Sequence, residues 1–167
     1  GKQAIVLIPE IALTFQTVLR FYKRFGDQVS IMHSRLSAGE RYDQFERARK
    51  GEVRVMIGPR SALFTPFDRL GIIVIDEEHE GSYKSETVPR YHARETAIER
   101  ARMSKAFVVL GSATPSVDSY EKARIGDYQL YELPVRVPGR KLPETEIVDL
   151  REELRMGNRS IFSARLE

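Results

Sequence analysis

The stretch Ile72-Ile73-Val74-Ile75-Asp76-Glu77-Glu78-His79 decides how this chain is read. Four consecutive β-branched apolar residues predict a strand buried on both faces, as in a parallel sheet. Open α/β sheets bind ligands outside the C-terminal ends of their strands, which is where these carboxylates fall. A second segment repeats the layout: Ala106-Phe107-Val108-Val109-Leu110 runs into the polar turn Gly111-Ser112-Ala113-Thr114-Pro115.

Working outward, Gln3–Ile8, Val29–Met32 and Val53–Ile57 predict further strands, and Tyr128–Leu133 alternates like an edge strand. Pro9-Glu10 is expected to open a helix with Ile11, Phe15, Val18, Tyr22 and Phe25 on one face, closed by Gly26. Ser37-Ala38-Gly39-Glu40 is a capping-box pattern starting a second helix, with Ala38, Tyr42, Phe45 and Ala48 on its inner face. Ala93, Ala97, Ile98 and Ala101 mark a third helix, and Ser116–Ile125 a short fourth. Strands alternating with helices predict a doubly wound parallel α/β sheet. Right-handed crossovers bring Glu10, Arg60, Asp76 and Ser112 to one rim.

At 167 residues the chain suits one domain with a real core. Zero cysteines exclude disulfides and thiolate metal sites. No apolar run reaches the roughly 18 residues of a membrane span. Gln3–Ile8 is too short for a signal peptide and leads straight into Pro9-Glu10, so the cytoplasm is the expected location and no membrane partner is expected. A net charge of +3 permits contact with nucleic acid without requiring it. After Pro134, Pro138, Gly139, Pro143 and interspersed Lys and Arg residues read as an extended basic linker.

The acidic box has the Walker B arrangement. Asp76 is placed to hold Mg²⁺ on the phosphates of a nucleotide such as ATP, and Glu77 to orient or activate the attacking water. An Asp closing a strand also caps turns, Glu77 could be a solvated carboxylate, and Glu78 suits a salt bridge. His79 could join the box to the Ser112–Thr114 turn by a hydrogen bond, and that turn's hydroxyls can equally cap it. A box of carboxylates and His can also ligate a metal directly, as in a metal-dependent hydrolase. No G-x-x-x-x-G-K-[ST] loop occurs in the sequence, so the phosphate-cradling half of a nucleotide site is missing from it.

Together these segments resemble the first helicase lobe of the PriA family, the bacterial primosomal replication-restart helicases of superfamily 2. Leu7-Ile8-Pro9-Glu10-Ile11-Ala12-Leu13-Thr14 is similar to motif Ia, and Gly58-Pro59-Arg60-Ser61-Ala62-Leu63-Phe64-Thr65-Pro66 to the motif called Ib or Ic. Asp76–His79 is similar to motif II and Gly111–Pro115 to motif III. Tyr83-Lys84 with Arg90-Tyr91-His92-Ala93-Arg94 resembles the aromatic-rich loop between them, and Leu142 to Glu153 the passage toward a second lobe. Pro59 stands where the family commonly has Thr, and Phe15 where it has Pro.

The resemblance implies a RecA-like lobe that lacks its P-loop strand, over residues 1–135, then an interlobe linker and the start of a second lobe over 136–167. It implies ATP and Mg²⁺ as cofactors, with Asp76, Glu77, His79, Ser112 and Thr114 at the nucleotide. Zinc belongs to family cysteines outside this chain. It also implies 3′-to-5′ movement on single-stranded or forked DNA, contacted by Glu10, Thr14, Arg60, Ser61, Tyr83, Lys84, Arg90, Tyr91 and His92. Primosome proteins and single-stranded DNA-binding protein are the implied partners. A DNA-binding module without ATPase activity is the alternative. The strand over Ala106–Leu110 is expected to expose an unpaired edge, which invites self-association.

Overall fold

The computed structural model describes residues 1–135 and 144–166. The part of the expected linker over residues 136–143 lies outside them. The chain divides into two compact units, Gly1–Gln129 and Leu130–Glu167.

The first unit is built on five strands: β1 (Gln3–Leu7), β2 (Val29–Ile31), β3 (Val55–Gly58), β4 (Leu70–Asp76) and β5 (Phe107–Gly111). All pairings are parallel, in the order β2-β3-β1-β4-β5. Three α-helices join them, α1 (Phe15–Phe25), α2 (Ala38–Arg49) and α3 (Ala93–Ser104), and α4 (Val117–Arg124) follows β5. Topology dictates which face each connection covers, because parallel crossovers are right-handed. From β1 to β2 the chain travels one way across the sheet. The three later connections travel the other way and so lie on the opposite face.

The two cores match that division. Ile5, Leu7, Met56, Ile73 and Ile75 point to the face covered by α2, by the turn over Arg60–Phe64, and by Ala93, Ala97 and Ala101 of α3. Their strand neighbours Val6, Val55 and Ile57 point to the other face, against Leu13 and Phe21. Alternation along each strand produces both sets at once. Beyond β4 the second face is bare: Phe107 and Val109 are 74% and 46% exposed, while Val108 and Leu110 pack inward. Among the described residues β5 is a sheet edge, as expected.

Local rules account for the helix ends. Ser37 and Glu40 form the expected capping box, each side chain accepting the other's backbone N–H. Gly26 ends α1 with φ +56°, a left-handed conformation that glycine adopts without strain.

Three expectations need correction. The chain after Pro9 makes one 3₁₀ turn over Glu10–Ala12, and α1 begins only at Phe15, capped by Thr14. This break resets the helical phase, so Ile11 and Phe15 are 85% and 78% exposed while Phe21 packs on the sheet. In α2, Phe45 and Ala48 face the core but Tyr42 is exposed. Residues 128–133 form no strand: the Tyr128 N–H bonds to the Lys122 carbonyl and its ring lies under the Lys122 ammonium at 5.5 Å. Tyr128 is held by α4 instead of joining the sheet.

The second unit contains α5 (Leu150–Arg155), capped by Asp149, with the Glu153 carboxylate accepting from Asn158 and the Ala164 N–H. Among the described residues no helix is long and apolar enough to cross a membrane.

Candidate functional site

The rim at the C-terminal ends of β1 and β4 gathers the predicted residues. These strands are neighbours, and the connections that follow them leave toward opposite faces, which opens a crevice between them. Asp76 is the last residue of β4 and is exposed at this rim. In register with it on β5 stands Gly111, where a Cβ would lie 3.7 Å from the Asp76 Oδ1. The acidic box and the Ser112–Thr114 turn therefore share one rim.

The chain reverses immediately after Asp76. Glu77 has φ +48°, a left-handed conformation that costs a non-glycine residue about 1 kcal/mol or more. The reversal sends Glu78 inward and leaves Glu77 half-exposed and His79 outside. The Glu78 N–H bonds to the Gly111 carbonyl at 3.0 Å, which ties the box to β5. His79 Nδ1 shares a 2.7 Å hydrogen bond with Ser112 Oγ, and that hydroxyl accepts the Thr114 N–H at 3.0 Å. Glu77 Oε2 lies 3.6 Å from the same imidazole nitrogen.

Glu78 is buried and fully paired. It accepts from the Ser116 N–H (2.6 Å), from the Ser116 and Ser119 hydroxyls (3.1 and 2.9 Å) and from the Arg94 guanidinium (3.1 Å). Arg94 is buried too and also meets both serine hydroxyls and Glu95. Burial opposes the Glu78 charge, but these donors outweigh it and hold its carboxyl below the ordinary value of 4.5. Arg94 and the serines escaped the sequence reading. The available signals were Arg94 beside the alanine stripe of α3 and the Ser-x-x-Ser at the start of α4.

The residues expected at DNA divide. Glu10, Arg60, Ser61, Tyr83 and Lys84 all border one cleft of about 500 Å³. Lys84, Arg90, Tyr91 and His92 border a second hollow beside it. Thr14 borders neither and serves as the α1 cap, accepting from the Thr17 N–H. The Glu10 carboxylate accepts the Ser34 N–H. His92 caps α3, its Nδ1 lying 3.2 Å from the Arg94 N–H and 2.9 Å from Glu95.

One of these assignments is corrected. Tyr83 is 1% exposed, so no base can stack on it; its hydroxyl instead donates 2.6 Å to the Asp76 carbonyl oxygen. Burial, then the Asp76 charge, push its pKa upward. Arg60 stays on the cleft, where its Nη1 donates to the Ser82 and Lys84 carbonyls and the guanidinium lies over the Tyr91 ring at 5.5 Å. Tyr91, expected at DNA, is half-exposed and meets Phe64 edge-on at 5.2 Å.

The residues present fit a nucleotide-borne Mg²⁺ better than a metal held by protein alone. Among the described residues no cluster of three or more His, Cys, Asp or Glu can hold an ion. A single rim carboxylate suits Mg²⁺, which keeps waters and phosphates as its other ligands.

The buried pair sets a pH dependence. Because the folded Glu78 pKa is depressed, its stabilisation is complete above 4.5 and is lost as pH falls through the folded value. Denaturant titrations from pH 6 to pH 3 should show stability falling, and Glu78→Gln should flatten that fall. Arg94→Ala, which strands a buried carboxylate, should cost about 3–5 kcal/mol at neutral pH.

The sequence matches the DEAD/DEAH box helicase family model over residues 1–123. It is 58% identical over 166 residues to the replication restart protein PriA of Bacillus subtilis (strain 168), covering 99% of this chain and 21% of that protein. It is 47% identical over 172 residues to the PriA of Synechocystis sp., covering 100% of this chain and 21% of that protein. The chain thus spans about a fifth of the length of the curated relatives it matches. A structure of variant S. cerevisiae Dbp5 bound to variant Gle1 and IP6 aligns with TM-score 0.52 at 18% identity, over 80% of this chain and 35% of that one, a likeness of fold. With the family model covering most of its length and a parallel five-stranded sheet carrying the acidic box on its rim, the chain belongs to the DEAD/DEAH box helicases.

Proposed function

We propose that this chain is most of the first motor lobe of an ATP-dependent DNA helicase that acts in replication restart. The observation that carries the reading is Asp76 on the rim opposite Gly111, with His79 bonded to Ser112. Asp76 would hold Mg²⁺ on the ATP phosphates, and the ion would supply charge neutralisation for phosphoryl transfer. Glu77 orients the attacking water. His79 and Ser112 link the nucleotide side of the rim to the turn through Thr114. Residues 1–135 belong to the lobe, and 136–167 lead toward a second one. Movement in the 3′-to-5′ direction, forked DNA, primosome proteins, single-stranded DNA-binding protein and a cytoplasmic location come from the likeness to PriA proteins.

The sequence contains no phosphate-cradling loop, so the chain alone cannot complete the reaction. Purified as these 167 residues, it should show no DNA-stimulated ATP hydrolysis. In a full-length protein carrying this segment, Asp76→Asn should abolish turnover. Hydrolysis by the isolated chain that disappears with Asp76→Asn would contradict the assignment of the missing half.

A second reading, a single-stranded DNA-binding surface that works without hydrolysis, is favoured by exposed Lys84 and Arg90 beside Tyr91. Lys84 and Arg90 pair with phosphates while Tyr91 offers a face for a base. Anisotropy titrations of an oligothymidine against salt should give a log–log slope that shrinks by roughly 0.7 for each cation replaced by Ala. A slope unmoved by both substitutions rejects this surface.

The open edge of β5, flanked by exposed Phe107 and Val109, is a site for strand pairing. We expect the isolated chain to self-associate through it. Sedimentation velocity at rising concentration should show growing species, and Val109→Lys should return the chain to monomer.

A further inference from the structure

The end of β4 poses a hydrogen-bonding problem. Once Glu77 turns the backbone into a left-handed conformation, the ladder stops and the Asp76 carbonyl needs a donor from elsewhere. The Tyr83 hydroxyl supplies it at 2.6 Å, from a ring that is 1% exposed and packs into the larger core. Tyr83 is itself held from outside. The Arg60 guanidinium donates to the carbonyls of Ser82 and Lys84, one residue on either side of it. That guanidinium also lies 5.5 Å from the centre of the Tyr91 ring, at the surface. Tyr91 thus meets Arg60, Arg60 brackets Tyr83 through the two flanking carbonyls, and Tyr83 meets Asp76.

We propose that Tyr83 is a positioning residue for Asp76: its hydroxyl fixes the peptide at the end of β4, and Arg60 stacked on Tyr91 fixes Tyr83. The inference rests on Asp76 as the Mg²⁺-holding carboxylate. Without this donor the Asp76 carbonyl loses its partner, and the carboxylate beside it would be held less narrowly toward a bound ion.

The test is Tyr83→Phe in a full-length protein carrying this segment, which keeps the buried ring and removes one oxygen. Two readouts are taken: binding of a fluorescent ADP analogue across a Mg²⁺ series, and DNA-stimulated ATP turnover across the same series. The Mg²⁺ concentration at half-effect should rise about two- to tenfold in both, the range one hydrogen bond sets. Affinity for single-stranded DNA should stay unchanged, because the ring and the surface cations remain. Arg60→Ala, which removes both carbonyl bonds and the contact with the Tyr91 ring, should move the Mg²⁺ requirement in the same direction. An unchanged Mg²⁺ requirement in Tyr83→Phe overturns the proposal, with or without a lower melting temperature. Asp76→Asn separates the two levels. If it abolishes the Mg²⁺ dependence while Tyr83→Phe does not alter it, only the positioning role fails; if it leaves the dependence intact, the reading of Asp76 fails first.

Discussion

Parallel pairing of β4 with β5 in a single register is the constraint on which the site depends. It sets Asp76 opposite Gly111 and lets the Glu78 N–H reach the Gly111 carbonyl. A slip of one residue would turn Ile73 and Ile75 out of the larger core and bring Ile72 and Val74 into it. Burial of those isoleucines thus fixes the register, and the register fixes what stands at the rim. Apolar packing on the sheet faces, with no chemistry of its own, determines where the carboxylates lie.

The reversal after Asp76 separates four adjacent polar residues into different environments. Asp76 stays on the rim, Glu77 turns sideways at a cost in backbone strain, Glu78 goes inside and His79 returns to the Ser112–Thr114 turn. The buried Glu78 binds the acidic box to the starts of α3 and α4 through Arg94 and two serines. Loss of one partner of such a pair is far more damaging than the net worth of the pair, so its effect is to specify one arrangement of the three segments. Tyr83 completes the same arrangement from beneath. The box is held by its backbone on one side and by a buried carboxylate on the other, leaving the two candidate catalytic side chains at the surface.

Much of this was legible in the sequence. A run of β-branched residues ending in carboxylates announces a parallel strand and its functional end. The Ser37-Ala38-Gly39-Glu40 cap and the alanine stripe of α3 were readable because their signals span one or two helical turns. Reading failed where a local pattern met a non-local condition. The face expected on α1 was displaced because a 3₁₀ turn broke the helix, and the alternation expected at 128–133 gave way where α4 holds Tyr128.

By itself, then, the order of residues determined the parallel sheet, the two segments that meet at its rim and the membership of Asp76 and Ser112 in one site, since short-range periodicity and the handedness of crossovers suffice for those. Only the folded chain decided which of Tyr83 and Tyr91 is buried, that Arg60 Nη1 donates to the Ser82 and Lys84 carbonyls, and that Glu78 belongs with Arg94. A side chain's partner depends on what long-range packing brings beside it, and an aromatic ring or a guanidinium carries the same letters whether it faces solvent or a carbonyl.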